Sequence, residues 1–269
     1  IWEQLSTEDY TLATEIARNN SRAYALLKRL ESRCLIEKDT KVQRQRVPGG
    51  MEEDAQRWAL NDEQAAALTY LEKCLGEDEG KTTVLEGVTG SGKTEVYLRL
   101  IETALNMGSS ALVLVPEIAL TPQLGARFRS RFGGKVATFH SGLSVAQRRD
   151  EWERVHTGEA VIGLGARSAL FLPMRNLGVI VVDEEHESSF KQEESPRYNA
   201  RDMAVVRGKM AKALVVLGSA TPSLESRRNA DIKKFGHLRL VHRVLNRPMP
   251  EVQCVDMTAT QRVGEGIFS

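Results

Sequence analysis

Residues 87–94 of the 269-residue chain read GVTGSGKT and match the phosphate-binding loop pattern G-x-x-x-x-G-K-S/T at every fixed position. The loop lies between an apolar run and an amphipathic segment, as expected for a turn that joins a strand to a helix. Lys93 is a candidate catalytic residue that reaches the β- and γ-phosphates, and Thr94 is predicted to hold Mg²⁺. A plain glycine-rich turn is the alternative, but it requires neither the lysine nor the hydroxyl. The predicted nucleotide site comprises Gly87, Thr89, Gly90, Ser91, Gly92, Lys93 and Thr94.

The overall composition is that of an ordinary globular protein. Hydrophobic residues make up 41% of the chain and charged residues 27%, values that exclude a wholly disordered, collagenous or disulfide-stapled chain. The length predicts one large domain or two unequal domains. Because 37 basic residues nearly balance 36 acidic ones, any affinity for nucleic acid has to come from local basic patches.

The three cysteines, Cys34, Cys74 and Cys254, are widely spaced and form no C-x-x-C pair. They encode neither a disulfide framework nor a zinc site. No apolar run approaches the roughly 20 residues needed to cross a bilayer, and the first residues lack the layout of a signal sequence. We therefore expect a cytoplasmic protein without membrane association. The chain begins with Ile1 and ends without a closing element, so we also expect it to be a segment of a longer protein.

Residues 1–50 are predicted to form a small winged-helix domain. Apolar residues recur at helical spacing from residue 23 to residue 34, and two short strand patterns follow up to residue 47. Between residues 21 and 47 there are eight basic and three acidic residues, a local excess of five positive charges. Such a face can bind DNA phosphates, but a small protein-interaction module with solvated charges explains it equally well.

The remaining residues, 51–269, alternate short apolar runs with amphipathic segments. The apolar runs span residues 82–85, 111–115, 136–139, 160–164, 179–182 and 214–217. Continuous apolar runs are typical of strands buried on both faces, so a parallel sheet covered by helices on both sides is predicted. Polar clusters follow these runs directly, at the sheet edge where ligands bind in such folds. The predicted fold class is therefore α/β, a phosphate-loop lobe with a parallel sheet that is preceded by the winged-helix domain.

The fifth of these apolar runs is followed by the sequence DEEH at residues 183–186. Asp183 is predicted to organise Mg²⁺ together with Thr94, and Glu184 to orient the attacking water. His186 is a further candidate catalytic residue beside them. A solvated acidic loop is the alternative. The position of this sequence after a strand and downstream of a complete phosphate loop favours a motor-type ATPase.

The sequence GSATP at residues 218–222 follows the last apolar run. Its two hydroxyl residues, Ser219 and Thr221, are positioned to couple a change at the γ-phosphate to motion elsewhere in the protein. Taken alone, the pentapeptide is equally consistent with a plain turn. Its weight comes from its order after the DEEH sequence.

The phosphate loop, the DEEH sequence and the GSATP sequence resemble, in this order, motifs I, II and III of superfamily 2 helicases. Further strings are similar to the PriA family of replication-restart helicases: GVTGSGKTEVY at residues 87–97, VPEIALTPQ at 115–123, HSGL at 140–143 and RSALF at 167–171. The resemblance spans about residues 55–257. It implies a RecA-like ATP-binding lobe, the first of two motor lobes, in an ATP-dependent 3′→5′ DNA helicase of the replication-restart primosome that remodels stalled forks.

The resemblance also implies ligands and partners. ATP and Mg²⁺ are the expected cofactors. Single-stranded and forked DNA, other primosome proteins and the single-stranded-DNA-binding protein are the expected partners. The family's zinc-binding cysteines, second motor lobe and N-terminal DNA-end-binding domain have no counterpart in this sequence, so zinc is expected for the family but outside this chain. The isolated chain is expected to bind ATP, hydrolyse it poorly and unwind nothing.

Individual residues acquire roles by the same resemblance. Gln64, in the sequence LNDEQ, is implied to hydrogen-bond the adenine edge with both ends of its amide. Trp58 stacks on the base or, as the stronger expectation, belongs to the core. In the loop after DEEH, aromatic side chains would stack on unpaired bases and arginines would meet phosphates, with simple loop packing as the alternative. The residues implied to contact DNA are Pro116, Ser141, Gly142, Arg167, Ser168, Phe190, Arg197, Tyr198 and Arg201.

Two other functions are compatible with these motifs. The first is a different superfamily 2 translocase, against which the sequence at residues 116–123 argues. The second is a regulator whose winged helix reads a DNA site while the bound nucleotide switches its conformation. A motor prefers fork structures over any duplex sequence, whereas a regulator protects one sequence.

Overall fold

A computed structural model of the chain describes residues 23–31, 58–77 and 79–244. The chain divides into two compact units, residues 1–44 and 45–269. In the first unit, helix α1 (Ala23–Glu31) coincides with the helical pattern in the sequence. The remainder of the predicted winged helix lies outside the described residues, so this domain stays a prediction.

The second unit is built on a parallel sheet. Its strands are β1 (Thr82–Gly87), β2 (Ser110–Leu114), β3 (Val136–Phe139), β4 (Ile162–Gly165), β5 (Leu177–Asp183), β6 (Lys191–Gln192), β7 (Tyr198–Asn199), β8 (Leu214–Ser219) and β9 (Gly236–Leu240). Within residues 58–244, seven of them form one sheet in the order β3-β4-β2-β5-β8-β1-β9, and every neighbouring pair is parallel. Strands β6 and β7 form a separate antiparallel pair.

The prediction of an α/β fold is confirmed, because the six apolar runs correspond to β1 to β5 and β8. The sequence did not predict β9. Among the described residues this strand pairs with β1 alone, most of its residues are partly exposed, and the Arg239 side chain is 60% exposed. An edge strand of this kind lacks the continuous apolar run by which buried parallel strands are recognised.

Six helices flank the sheet or follow its loops in the described part of the second unit. They are α2 (Asp62–Gly76), α3 (Lys93–Asn106), α4 (Pro122–Phe132), α5 (Val145–Thr157), α6 (Ala200–Ala211) and α7 (Leu224–Asp231). Both α2 and α5 begin with a capping box, Asn61 with Gln64 and Ser144 with Gln147, which satisfies two of the free N–H groups at each helix start. None of the helices in the described residues is long and apolar enough to cross a membrane.

The sheet is buried on both faces, and neighbouring residues of one strand belong to opposite cores. Val181 of β5 packs with α2, α3 and α4 on one face, whereas Ile180 packs with α5 and α6 on the other, and both are fully buried. The same alternation holds for Leu112 and Val113 of β2. This two-sided burial explains why the strands appear in the sequence as uninterrupted apolar runs.

The parallel pairing also brings the polar clusters together. Asp183 at the end of β5 is paired in register with Gly218 of β8, and Glu86 of β1 with Ser219. The phosphate loop, the DEEH sequence and the GSATP sequence therefore leave the sheet side by side at its carboxyl edge. This is the edge at which open α/β sheets bind ligands.

Candidate active site

The phosphate loop joins β1 to the first residue of α3 and adopts a conformation that requires glycine. Gly90 and Gly92 have φ angles of 82° and 81°, in the left-handed region that side chains disfavour. The Lys93 ammonium is buried, donates to the carbonyl oxygen of Gly87 over 3.0 Å, and lies 3.6 Å from Glu184 Oε1. In this position the lysine folds back over its own loop, where the phosphates of a nucleotide would become its partners.

Gln64 supports the loop from the first turn of α2. Its amide nitrogen donates to the carbonyl oxygen of Ser91 over 2.7 Å, and its amide oxygen accepts from the Asn61 N–H over 2.9 Å. The side chain is buried, and each end of its amide already has one partner. Contact with an adenine base has to use the remaining N–H and lone pair of the same amide. The structure therefore gives Gln64 a role in shaping the loop that the motif alone did not reveal.

Two further features show that this loop fits a phosphate. A methyl group added to Gly92 would overlap the Gln64 amide, and one added to Gly87 would come within 2.6 Å of the Ser91 hydroxyl. The Ser91 hydroxyl is itself buried and has no hydrogen-bond partner among the described residues. Buried polar groups without partners are rare and costly, and a phosphate oxygen or an ordered water would supply the missing partner.

Asp183 is held by a buried tyrosine. The hydroxyl of Tyr97, on α3, donates to Asp183 Oδ1 over 3.1 Å. Burial, and then the negative charge of Asp183, raise the pKa of Tyr97 well above its usual value, so the phenol remains a donor. A side chain at Gly218 would overlap this hydroxyl, which explains why a glycine lies in register with Asp183. Tyr97 is a positioning residue that the sequence motifs did not single out.

Burial also raises the pKa of the Asp183 carboxyl group, to which the nearby charge of Glu184 adds, whereas Lys93 opposes the shift. A carboxylate held in this environment favours a cation at its free oxygen. Thr94 lines the same cleft as Asp183, so one hydroxyl and one carboxylate are available for Mg²⁺. The donor set fits the ion that the sequence predicts.

Glu184, His186 and Ser219 form a continuous polar chain. Glu184 has a φ angle of 47°, which is unusual for a residue with a side chain, and the following N–H donates to the carbonyl oxygen of Gly218 over 3.0 Å. Glu184 Oε2 lies 3.7 Å from His186 Nδ1, which is 2.8 Å from the Ser219 hydroxyl. That hydroxyl accepts from the Thr221 N–H over 2.9 Å. The predicted catalytic and coupling residues are therefore in direct contact.

The phosphate loop, Gln64, Asp183 and Glu184 line one cleft of about 570 Å³. The phosphate loop forms its floor, and Asp183 and Glu184 form one wall. Trp58 lines the cleft with half of its surface exposed, so the stronger expectation that it belongs to the core is wrong. The cleft is also lined by Arg127 of α4 and by Arg243, which follows β9; neither residue was predicted from the sequence.

Six of the residues predicted to contact DNA lie in or near loops at the carboxyl edge of the sheet or in the segment after β5. Ser141 and Gly142 are exposed on the loop that follows β3, and Ser168 is exposed in the short 3₁₀ helix that follows β4, at the same sheet edge as the cleft; Pro116 is buried shortly after β2. Arg167 donates to the Lys191 carbonyl oxygen over 2.6 Å, and Arg197 to the Glu193 carbonyl oxygen over 3.0 Å. Both arginines bond only to main-chain oxygens in these contacts, so their charge is available to a phosphate.

The prediction that Phe190 and Arg201 contact DNA does not fit the structure, because both side chains are buried. Phe190 is 1% exposed and belongs to the core, so it has no face on which a base could stack. The buried Arg201 guanidinium donates to Asp202 over 2.8 Å and to the Ser223 hydroxyl over 2.7 Å, and also pairs with Glu185. Contact of Arg201 with a DNA phosphate does not fit this placement. A residue that looks basic and available in the sequence is instead part of an internal ion pair.

Tyr198, the other aromatic residue of this loop, is half-buried and packs edge-to-face on Phe171, with ring centroids 5.3 Å apart. Phe171 is 60% exposed. The exposed aromatic surface near this loop therefore belongs mainly to Phe171, whose sequence RSALF carried the family resemblance without indicating this role.

The fold and site define a phosphate-loop ATPase lobe of the helicase type. The sequence matches the DEAD/DEAH box helicase family over residues 61–230, and the chain belongs to this family. Helicases of this family use ATP and Mg²⁺, in agreement with the donors around the cleft.

Within this family, the chain is most usefully compared with replication restart proteins PriA. The chain is 47% identical to a replication restart protein PriA of Bacillus subtilis over 94% of its own length and 31% of the relative's length. It is 48% identical to the replication restart protein PriA of Synechocystis over 80% of this chain and 27% of that protein. These similarities confirm the resemblance to the PriA family. The chain spans about a third of the length of these relatives.

A solved structure of RecG bound to a three-way DNA junction has the same fold. It superimposes with a TM-score of 0.53 over 70% of this chain and 24% of that chain, at 20% sequence identity. At this level of identity the similarity concerns the fold of the lobe.

Substitution of Gly92 tests the contact between the phosphate loop and α2. Gly92→Ala and Gly108→Ala both place a side chain at a positive φ angle, 81° and 76°, but only the first overlaps Gln64, because nothing lies within 4 Å of Gly108. Both should lower the free energy of unfolding by roughly 1–2 kcal/mol. Only Gly92→Ala should also weaken binding of a fluorescent ADP analogue, by about tenfold. Equal affinities of the two variants would show that the Gln64 contact does not shape the site.

The raised pKa of Asp183 predicts a pH-dependent effect of Asp183→Asn in the absence of Mg²⁺. The folded state holds the proton more tightly than the unfolded state, so this group stabilises the fold below its usual pKa of 3.8 and loses that contribution as the pH rises through the raised pKa. Urea unfolding with a chelator present should therefore show the variant to be more stable than the wild type at pH 7, with the difference vanishing at low pH. Asp231→Asn, at an exposed helix end, is the control. A variant that is less stable at pH 7 would contradict the shift.

Proposed function

We propose that this chain is the first motor lobe of an ATP-dependent 3′→5′ DNA helicase of the replication-restart primosome, which binds and remodels stalled replication forks. The observation that carries the proposal is the continuous chain from Lys93 through Glu184 and His186 to Ser219, in which phosphate-binding, catalytic and coupling residues touch one another. The similarity to PriA proteins supports the choice of replication restart over other helicase functions.

The residues of the cleft suit triphosphate hydrolysis. Lys93 exchanges its bond with the Gly87 carbonyl oxygen for the β- and γ-phosphates, and thereby releases Glu184 from their 3.6 Å ion pair. Glu184 then orients the attacking water, with its strained backbone fixing the carboxylate toward the cleft. Thr94 and Asp183 would hold Mg²⁺, which would supply positive charge to the phosphates when bound. Tyr97 keeps the Asp183 carboxylate in place during this exchange.

The loops at the carboxyl edge of the sheet suit single-stranded DNA. Ser141, Gly142 and Ser168 offer hydroxyl and main-chain groups, and Arg167, next to Ser168, and Arg197 offer positive charge. Forked DNA, other primosome proteins and the single-stranded-DNA-binding protein are the proposed partners of the complete protein. A cytoplasmic location is part of the same proposal, as is zinc bound outside this chain.

The roles of Lys93 and Glu184 separate nucleotide binding from turnover in the full-length protein. Lys93→Ala should weaken ATP binding or its productive geometry, whereas Glu184→Gln should retain ATP binding and lower DNA-stimulated turnover by at least about 100-fold. Lys73→Ala, at an exposed position on α2, and Glu194→Gln, in an exposed loop, are the matched controls. Binding is measured by calorimetry, and turnover by phosphate release with a forked substrate. Normal hydrolysis by Glu184→Gln would rule out this residue as the group that activates water.

A further inference from the structure

Residues 241–244, which we call the post-β9 segment, lie along the phosphate loop. At one end the Val88 N–H donates to the carbonyl oxygen of Leu240 over 3.2 Å, and at the other the Val244 N–H donates to the carbonyl oxygen of Gly90 over 2.9 Å. A methyl group added to Gly92 would come within 3.1 Å of the Val244 side chain. The phosphate loop is thus held between α2 on one side and this segment on the other.

Glu63 fastens the post-β9 segment to α2. Its Oε2 accepts from the N–H groups of Val241 and His242 over 2.8 and 3.1 Å, and its Oε1 lies 2.7 Å from His242 Nδ1. The His242 N–H, as the largest cause, lowers the pKa of Glu63, so the carboxylate stays charged and keeps these bonds. Glu63 and Gln64 are adjacent in the sequence. One turn of α2 therefore positions both the phosphate loop and the segment beside it.

The sheet order determines which end of a nucleotide faces this segment. Strand β9 lies next to β1 on the side opposite to β8 and β5. Because Asp183 and Ser219 follow β5 and β8, the γ-phosphate and its Mg²⁺ belong to that side of the loop. On the β9 side of the loop, Arg243 follows β9 and lines the cleft together with Gln64 of α2 and Trp58, which precedes that helix. This is where the nucleoside end of a triphosphate has to extend, since the loop itself takes the phosphates.

We propose that Arg243 holds the base and ribose of the bound nucleotide. The inference deepens the proposed function and rests on it. A guanidinium is planar, stacks on aromatic rings and donates hydrogen bonds in its own plane, which suits a purine and its sugar. Trp58, which lines the same cleft and is half exposed, offers the base a second flat surface. The main-chain hydrogen bond from Val244 to Gly90, and those from Val241 and His242 to the Glu63 carboxylate, keep the backbone of Arg243 in this position.

Comparison of two ligands tests this assignment in the full-length protein. ADP carries a base and a ribose, whereas inorganic tripolyphosphate carries only phosphates. Arg243→Ala should weaken the binding of ADP about tenfold and change that of tripolyphosphate by less than about twofold. Arg243→Lys should recover only part of the loss, since lysine keeps the charge without the planar group. The control is Arg239→Ala, on β9, because this side chain is 60% exposed and pairs with Glu86 instead of lining the cleft.

The possible results separate this inference from the proposed function. If the wild type binds neither ligand, the nucleotide site itself is refuted. If Lys93→Ala abolishes binding of both ligands while Arg243→Ala binds ADP like the wild type, the site stands and the role of Arg243 is overturned. An equal loss of both ligands in Arg243→Ala would assign the arginine to the phosphates and also overturn the proposal. Thermal unfolding without ligand distinguishes these results from loss of the fold, and Arg243→Lys provides the second, milder variant.

Discussion

The register of the parallel sheet is the constraint on which the site depends. Asp183 lies in register with Gly218, and Glu86 with Ser219, so three segments that are distant in the sequence leave the sheet at one edge. A shift of one residue in a strand would turn every side chain to the other face. The two apolar cores oppose such a shift, since neighbouring residues of one strand are buried on opposite sides. Hydrophobic packing thereby sets the geometry of the polar residues.

Two buried carboxylates, Glu185 and Glu95, hold residues of the proposed active site. Glu185, next to the proposed catalytic Glu184, accepts from the Ser223 N–H over 2.7 Å and pairs with Arg201. Glu95, next to Thr94, is surrounded by three arginines at 3.1 to 3.4 Å, two of which come from α4. A buried carboxylate persists only when it has several donors, so each of these groups ties its neighbour to another element of the fold. These ion pairs fix the positions of Glu184 and Thr94 relative to neighbouring helices, whereas a buried ion pair by itself adds little net stability.

The sequence predicted the six buried strands β1 to β5 and β8 and the nucleotide motifs, because both depend on local patterns. Continuous apolar runs indicate two-sided burial, and the phosphate loop has fixed spacing. Phe190 and Arg201 were misplaced because an aromatic or basic residue in a polar loop gives no local sign of its partner. Arg201 meets Glu185 across 16 residues and Ser223 across 22, contacts that only the tertiary fold creates. The placement of Arg243 beside the phosphate loop likewise follows from an edge strand that had no apolar signature.

The resting contacts of the cleft explain how one lobe can report its nucleotide state. Lys93 is the only cation in the described residues recorded within 4 Å of Glu184, apart from the titratable His186. In the proposed motor, a turn of Lys93 to the phosphates would change the balance of charge around Glu184 and leave His186, at 3.7 Å, as its partner. His186 is hydrogen-bonded to Ser219, whose hydroxyl also accepts from the Thr221 N–H. The 3.7 Å contact between Glu184 and His186, followed by one hydrogen bond, therefore connects Glu184 to the GSATP loop. In the proposed motor, this path couples the presence of a γ-phosphate to the loops at the sheet edge.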